Sequence, residues 1–189
     1  MTPGHELILG GQRSGKSRCA EARALAWLAA PGNSAVLLAT ALAGDDEMRE
    51  RIQRHRRDRA RRVPDLACEE VPIALARAVA LHTAPGRLVV IDCLTLWLTN
   101  LLLPMSGEPV PATACQDARQ ALCNALKSAS GPVVLVSNEI GMGVTPISAA
   151  ARRFVDELGR LHQDVAALCS NVTLMVAGIE LPVKQGGAQ

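Results

Sequence analysis

The sequence predicts an α/β fold in which a mostly parallel central sheet is flanked by helices. Short apolar runs of strand length recur along the 189 residues, and they are near-continuous rather than alternating, as in strands buried on both faces. Longer stretches with helical spacing separate these runs. The first run also leads through a glycine-rich loop into a helix-like stretch. Alternating strands and helices are typical of parallel sheets, and the length favours a single domain over residues 1–189.

The predicted elements alternate along most of the chain. Strands are predicted from the apolar runs at 7–9, 35–39, 88–91, 133–136 and 172–176. Helices are predicted from apolar spacing or charge pattern at 17–30, 45–62, 73–81, 113–129 and 149–169. Pro31-Gly32 closes the first helix, and Ser130-Gly131-Pro132 precedes the fourth strand. This order supports repeated strand–helix–strand units.

The loop after the first strand reads Gly-Gly-Gln-Arg-Ser-Gly-Lys-Ser over residues 10–17. It matches the phosphate-binding pattern Gly-x-x-x-x-Gly-Lys-Ser/Thr, in which glycines let backbone N–H groups surround an anion at the start of a helix. The lysine of this pattern reaches the β- and γ-phosphates, and the next hydroxyl ligates Mg²⁺. The alternative is a glycine-rich turn with a chance lysine. We predict that a nucleotide is bound by Gly10, Gly11, Gln12, Arg13, Ser14, Gly15, Lys16 and Ser17.

The predicted strand 88–91 is followed by Asp92. In P-loop proteins, an acidic residue at the end of a buried parallel strand is linked to the magnesium ion of the nucleotide. The alternative is an aspartate that only caps the following turn. With the phosphate-binding loop present, the sequence predicts a Mg²⁺ site formed by Ser17 and Asp92.

Eight arginines lie between residues 49 and 62, against only two acidic residues. Such a segment is typical of a solvated helix face, and a nucleic-acid patch is the next interpretation. His55 suggests a third interpretation of the segment, because Arg51 and Arg59 would lie one helical turn to either side of it. Neighbouring cations disfavour a charged imidazole, a neutral imidazole is a competent nucleophile, and arginines suit anionic phosphate. A phosphorylated or nucleotidylated histidine is therefore one hypothesis for this segment.

Composition argues against several classes of protein. Aromatic residues make up 2% of the chain and the net charge is +2, which disfavours nucleic-acid binding. The six cysteines form no Cys-x-x-Cys pair, so we expect neither a zinc site nor a disulfide framework. The N-terminal segment lacks a signal-peptide pattern and no apolar run has the length of a membrane span, so a soluble, cytoplasmic protein is expected.

Four further polar positions carry weaker expectations. His5 and His82 are expected at the surface. His162 lies beside the apolar face of its predicted helix and is interpreted as a structural histidine. Glu139 follows the end of a buried strand, where parallel sheets bind ligands, so a structural role and a role in the site both stay open.

Several motifs occur together in one order: the loop at 10–17, then Leu38-Ala39-Thr40-Ala41, then the segments 45–55, 92–102, 136–146 and 152–163. This set resembles the bifunctional adenosylcobinamide kinase / adenosylcobinamide-phosphate guanylyltransferase family of cobalamin synthesis. The resemblance runs from about Glu6 to Lys184, nearly the whole chain. It implies a P-loop NTPase fold with a RecA-like sheet, and assembly into a trimer.

The resemblance also implies two reactions. The hydroxyl of adenosylcobinamide would be phosphorylated by ATP or GTP, and GMP from GTP would then be joined to that phosphate through a histidine-bound GMP. The family's histidine falls on His55, while Lys16, Mg²⁺ and nearby arginines would offset the charge on the leaving pyrophosphate. The other nucleotide-contacting positions that the resemblance implies are Ala39, Thr40, Ala41, Arg56, Arg57, Asp58, Arg59 and Glu70, with Glu69 as the alternative to Glu70.

The chain departs from the family pattern at two places. Asp92 stands where relatives often carry glutamate, and Arg54 replaces a histidine that some relatives carry beside the nucleophile. Two other functions stay open alongside the bifunctional one. The first is a monofunctional small-molecule kinase, and the second is a P-loop ATPase or regulator that binds nucleic acid through the arginine-rich segment.

Overall fold

The computed structural model describes residues 4–186, in which one seven-stranded sheet carries helices on both faces. The strands are β1 (Glu6–Gly10), β2 (Ser34–Ala39), β3 (Ala67–Glu70), β4 (Arg87–Asp92), β5 (Val133–Val136), β6 (Asn171–Val176) and β7 (Ile179–Lys184). The helices are α1 (Lys16–Leu28), α2 (Asp46–Arg62), α3 (Leu75–His82), α4 (Leu94–Leu102), α5 (Ala112–Lys127) and α6 (Ala149–Leu168). All five predicted strands and all five predicted helices are present.

The strand order across the sheet is β3-β2-β4-β5-β1-β6-β7. Strands β1 to β6 pair in parallel, and only β7 pairs antiparallel, with β6. Strand β5 alone separates β1, which leads into the glycine-rich loop, from β4, which ends at Asp92. The carboxyl ends of these three strands therefore meet at one edge of the sheet, where open parallel sheets bind ligands.

Both faces of the sheet are buried against helices. Leu7 and Ile8, adjacent in β1, are fully buried but belong to opposite cores, because successive residues of a strand point to opposite faces. Helices α3 to α6 cover one face, where Trp97 of α4 is buried and donates its indole N–H to the carbonyl oxygen of Ile73 at 2.9 Å. Helix α1 covers the other face. The prediction of a mostly parallel sheet between helices is confirmed.

Three elements are absent from the sequence prediction, and the reason differs for each. The four residues of β3 are all exposed at one edge of the sheet, so they form no apolar run. In β7, Ile179, Leu181 and Val183 alternate with other residues, but the run contains Pro182 and all six residues are exposed at the other edge of the sheet. Helix α4 is apolar around most of its circumference because it is buried, and its helical period is therefore hidden.

The cysteines contribute to the core rather than to cross-links. All six are free, and only Cys68 is exposed. Burial raises the pKa of Cys93 and of Cys169 to about 12, so these thiols stay protonated and act as small apolar side chains. None of the helices within residues 4–186 is long and apolar enough to cross a membrane.

The prediction that His5 lies at the surface is wrong, since its side chain is buried just before β1. Its Nδ1 accepts a hydrogen bond from the N–H of Val133 at 3.1 Å, and its Nε2 contacts the carbonyl oxygen of Leu126 at 3.0 Å. The ring therefore ties the start of β1 to the end of α5 and the start of β5. Because Nδ1 must keep a lone pair for Val133, the fold requires the neutral ring, and burial lowers the pKa of His5.

We expect the free energy of unfolding to decrease as the pH falls below about 6.5, the ordinary pKa of histidine. In this range the unfolded chain binds a proton at His5 that the folded chain does not yet bind, so falling pH favours the unfolded state. The variant His5→Gln does not titrate there. Its free energy of unfolding in urea should change less than that of the wild type between about pH 8 and about pH 5.5.

The control for this prediction is Leu126→Val, which perturbs the same packing without removing a titratable group. Its free energy of unfolding should fall at every pH while the pH dependence stays that of the wild type. If His5→Gln and the wild type changed equally over this range, the buried neutral histidine would not be the cause.

Candidate active site

The glycine-rich loop between β1 and α1 has the backbone that only glycine allows. Gly10 has a φ of 152°, and a Cβ at this position would lie 2.5 Å from the carbonyl oxygen of Met175 and 2.7 Å from Ser14 Oγ. Gly15, with a φ of 102°, stands in the left-handed region directly before the first residue of α1. The loop therefore folds back on itself and delivers the N-terminus of α1 to the edge of the sheet.

This loop presents unpaired hydrogen-bond donors. No side chain caps the N-terminus of α1, and its first turn carries no acidic residue, so the positive end of the helix dipole is open. Ser14 Oγ is the only buried side-chain nitrogen or oxygen without a partner among the residues that the structure describes. A bound phosphate would supply the missing partner for these groups.

Lys16 is the first residue of α1 and lies back over the loop. Its Nζ donates to the carbonyl oxygen of Gly11 at 2.6 Å, and its side chain is almost fully buried. Burial lowers the pKa of Lys16, whereas Cys93 and Asp92 raise it and Arg51 lowers it further. The ammonium is thus held inside the loop, within reach of any phosphate that the loop surrounds.

Ser17 and Asp92, the two residues predicted to hold Mg²⁺, are in contact with each other. The hydroxyl of Ser17 donates to Oδ2 of Asp92 at 3.3 Å, and this contact joins α1 to the end of β4. A hydroxyl and a carboxylate are hard oxygen ligands, and Mg²⁺ in nucleotide sites takes one or two such ligands and completes its shell with phosphate and water. Within residues 4–186 there is no group of three or more His, Cys, Asp or Glu side chains that would form an all-protein metal cage. The pair fits a magnesium ion that arrives with its nucleotide.

A cavity of about 470 Å³ lies between the loop, α2 and the ends of β2, β4 and β5. That volume falls in the range of small-molecule sites. The cavity brings together most of the residues predicted for the site, namely Gln12, Arg13, Ser14, Gly15, Lys16, Ser17, Ala39, Ala41, His55, Arg56, Asp58, Arg59, Glu70 and Asp92.

Four predicted residues do not line this cavity. Gly10 and Gly11 shape the loop through their backbone. Thr40 is fully buried, and its hydroxyl donates to the carbonyl oxygen of Cys93 at 2.7 Å while accepting from the N–H of Cys93 at 2.9 Å. Arg57 is exposed on α2. In this arrangement Thr40 joins β2 to the start of α4, rather than offering its hydroxyl to the cavity.

Helix α2 presents His55 to the cavity. Asp45 caps the start of the helix, since its Oδ1 accepts from the N–H of Met48 at 2.7 Å, and the last turn carries three arginines. His55 is half-buried, and Arg51 and Arg59, one turn to either side, line the same cavity. A histidine flanked by arginines thus faces the loop that holds Lys16.

Glu70 and Glu69 point to different surroundings. Glu70, the last residue of β3, lines the cavity and forms an ion pair with Arg56 of α2. Glu69 contacts His82 Nε2 at 2.7 Å and is not part of the cavity lining. The geometry therefore favours Glu70 as the acidic residue of the site.

The sequence prediction missed several residues that line the cavity, among them Met48, Ile52, Arg54, Arg62, Leu96 and Asn138. Met48, Ile52 and Arg62 lie three or seven residues from His55 along α2, so extending the helical period from that residue would have found them, whereas Arg54 is adjacent to His55 and does not follow this period. Arg62 also bonds Glu21 of α1 at 2.6 Å, which holds the end of α2 against α1. Asn138 follows β5, and its strand-end position was the available signal.

Comparisons with known proteins show the family of the chain. The cobinamide kinase / cobinamide phosphate guanyltransferase family (CobU) matches residues 6–183. The bifunctional adenosylcobalamin biosynthesis protein CobP of Pseudomonas aeruginosa is 46% identical over 179 residues, covering 95% of this chain and 96% of the relative. The bifunctional adenosylcobalamin biosynthesis protein CobU of Salmonella typhimurium is 36% identical over 186 residues, covering 94% of this chain and 98% of the relative.

Solved structures share the fold at low sequence identity. A solved ATPase domain has a TM-score of 0.58 at 13% identity, covering 100% of this chain and 79% of that one. The flagellar accessory protein FlaH from Methanocaldococcus jannaschii has a TM-score of 0.52 at 11% identity, covering 98% of this chain and 81% of that one. The fold is that of a P-loop NTPase with a RecA-like sheet. Together with the two relatives, the match over residues 6–183 means that the chain belongs to the cobinamide kinase / cobinamide phosphate guanyltransferase family.

Proposed function

We propose that this protein phosphorylates the hydroxyl of adenosylcobinamide with ATP or GTP and then transfers GMP from GTP to the new phosphate through His55. As a member of its family the chain is an enzyme with kinase and guanylyltransferase activities. The observation that carries the proposed mechanism is that His55 and the phosphate-binding loop line one cavity. This arrangement supports a histidine nucleophile acting on a triphosphate bound at the loop.

In the kinase step, the substrate hydroxyl oxygen attacks the γ-phosphorus of the nucleotide. A new P–O bond forms, the bond to the β–γ bridging oxygen breaks, the nucleoside diphosphate leaves and the hydroxyl proton passes to solvent. The loop N–H groups and Lys16 hold the β- and γ-phosphates and offset the charge that develops there. Ser17 and Asp92 would hold Mg²⁺, which when bound neutralises part of the phosphate charge.

In the guanylyl step, a ring nitrogen of His55 attacks the α-phosphorus of GTP. An N–P bond forms, the bond between the α-phosphorus and the α–β bridging oxygen breaks, and pyrophosphate leaves. A phosphate oxygen of cobinamide phosphate then attacks the same phosphorus, the N–P bond breaks and the imidazole is regenerated. Arg51, Arg56 and Arg59, which line the cavity around His55, would bind the phosphate oxygens in both half-reactions.

The proposal is tested with two labels on the nucleotide. We expect label from the γ-phosphate of ATP or GTP to appear in cobinamide phosphate, and label from the α-phosphate of GTP to appear first on the protein and then in the cobinamide-GDP product. Chromatography of the corrinoids and gel analysis of the protein separate these species. Phosphorylated cobinamide without any label on the protein would favour a monofunctional kinase.

A further inference from the structure

A chain of buried polar side chains lies at the carboxyl end of β5 and connects α6 to the candidate active site. His162 Nε2 is 2.7 Å from Ser137 Oγ, and Ser137 Oγ is 2.9 Å from Thr95 Oγ1. Thr95 Oγ1 in turn accepts the N–H of Asn138 at 2.7 Å. On the other side of the ring, His162 Nδ1 is 3.6 Å from Glu139 Oε2. Ser137, Thr95 and His162 are all buried.

These contacts are all satisfied by one direction of donation. With its proton on Nδ1, His162 faces the Glu139 carboxylate and offers a lone pair on Nε2 to the hydroxyl of Ser137. Ser137 then accepts from Thr95, and Thr95 accepts from the N–H of Asn138. Burial is the largest influence on His162 and lowers its pKa, which favours the neutral ring that this direction needs.

The chain ends at a residue placed between the two halves of the nucleotide site. Strand β5 lies between β1, which leads into the loop, and β4, which ends at Asp92. The N–H of Ser137 donates to Ile8 and that of Glu139 to Gly10, both at 3.0 Å, so the backbone on either side of Asn138 is fastened to β1. Asn138 itself lines the cavity, and its carboxamide makes no hydrogen bond to any residue in the described part of the chain.

The arrangement does not suit hydrolytic catalysis, although Glu139, His162 and Ser137 lie in the order of a catalytic triad. Ser137 has no exposed surface, so its hydroxyl cannot reach a substrate, and it is already shared between His162 and Thr95. The polar chain is therefore suited to holding the backbone at Asn138 in one position.

We propose that the Asn138 carboxamide binds the terminal phosphate of the bound triphosphate, and that His162 is a positioning residue which holds Asn138 through Ser137 and Thr95. The identity of the ligand rests on the proposed function. An amide N–H that binds the γ-phosphate would distinguish a triphosphate from a diphosphate, because only the triphosphate carries that group. His162 then sets the precision of that contact without touching the nucleotide.

The test is the affinity of the protein for a non-hydrolysable GTP analogue and for GDP, each with Mg²⁺, measured by calorimetry. Asn138→Ala should weaken binding of the analogue by about tenfold or more and leave GDP binding within about twofold, because a hydrogen bond to a charged group is lost only for the triphosphate. His162→Leu and Thr95→Val should also weaken binding of the analogue more than binding of GDP, but by a smaller factor than Asn138→Ala. Thr95→Ser keeps the hydroxyl and should restore the wild-type ratio.

The matched control is Val165→Ala, which removes a buried side chain from the same helix without touching the polar chain. It should leave the ratio of the two affinities unchanged. If His162→Leu does not fold, Thr95→Val tests the same polar chain in its place. The inference is overturned if Asn138→Ala weakens both ligands equally or neither, or if Val165→Ala copies the His162 variant. A wild-type protein that bound neither nucleotide would count against the proposed function as well, whereas normal wild-type binding with an unaffected Asn138→Ala would count against the inference alone.

Discussion

Replacing His55 with alanine is expected to abolish the protein-bound GMP and to lower guanylyl transfer by about a thousandfold or more, while phosphorylation of cobinamide stays within a few-fold of the wild type. The nucleophile of a covalent route has no substitute once its side chain is removed. The kinase step does not need it, because Lys16 and the loop N–H groups act on the other end of the triphosphate. Incubation with GTP labelled at the α-phosphate, followed by gel analysis, measures the adduct directly.

The chemistry of the adduct gives an independent readout, since a phosphoramidate at histidine is labile in acid and stable in base. The matched control is His82→Ala, because His82 contacts Glu69 and is not part of the cavity lining. It should retain full labelling. Equal labelling of His55→Ala and the wild type would disprove the role of His55, and an equal loss of both activities would indicate that the ring binds nucleotide rather than carrying GMP.

Those parts of the fold that bury a repeated apolar pattern were predictable from the sequence. The strand at β4 is the clearest case, because Leu88, Val89, Val90 and Ile91 are all buried and a continuous run of this length between two turns is typical of a doubly covered strand. The edge strands β3 and β7 were not predictable by the same rule, since their residues stay exposed. β3 forms by backbone pairing with β2 and has no apolar run, and β7 pairs with β6 through a short alternating pattern that Pro182 interrupts.

His5 shows a different limit. A polar residue such as His5 near the start of the sequence is usually solvated. Here its ring makes hydrogen bonds with the carbonyl oxygen of Leu126 and the N–H of Val133, in place of backbone partners. These two residues lie more than a hundred positions away in sequence, so the hydrogen bonds of the His5 ring can be recognised only when the pairing of β1 with β5 is known. Buried polar groups of this kind arise from tertiary hydrogen bonding, which periodicity does not report.

The candidate site divides in the same way. The loop at 10–17 and Asp92 were predictable because each has a local motif and a strand-end position. The cavity face of α2 was only partly predictable, since charge alone does not say which side of a basic helix is covered. The choice of Glu70 over Glu69 depends on which of two adjacent β3 side chains turns toward α2. Their roles in binding nucleotide, and the trimer implied by resemblance, stay predictions.

Replacing Lys16 with methionine is expected to lower the turnover of the kinase reaction by about a hundredfold to a thousandfold, with a smaller effect on the apparent affinity for nucleotide. Methionine keeps much of the length of the side chain but removes the ammonium that Lys16 holds inside the loop, and charge stabilisation of this kind is worth roughly a hundredfold to a thousandfold in turnover. The backbone of the loop is retained, because its shape depends on Gly10 and Gly15. Steady-state kinetics over a range of ATP and GTP concentrations separates the two effects.

The control for this variant is Lys184→Met, since Lys184 also donates its ammonium to a main-chain carbonyl, that of Ala166 at 2.9 Å, but lies on β7 away from the cavity. It should leave both activities intact. A comparison of Lys16→Met with His55→Ala also shows whether the two reactions use the same phosphate-binding loop. If one loop serves both, Lys16→Met lowers formation of the GMP adduct as well as kinase turnover, whereas His55→Ala affects guanylyl transfer alone. If Lys16→Met eliminated kinase turnover and left labelling at His55 unchanged, the GTP that guanylylates His55 would have to bind outside the loop.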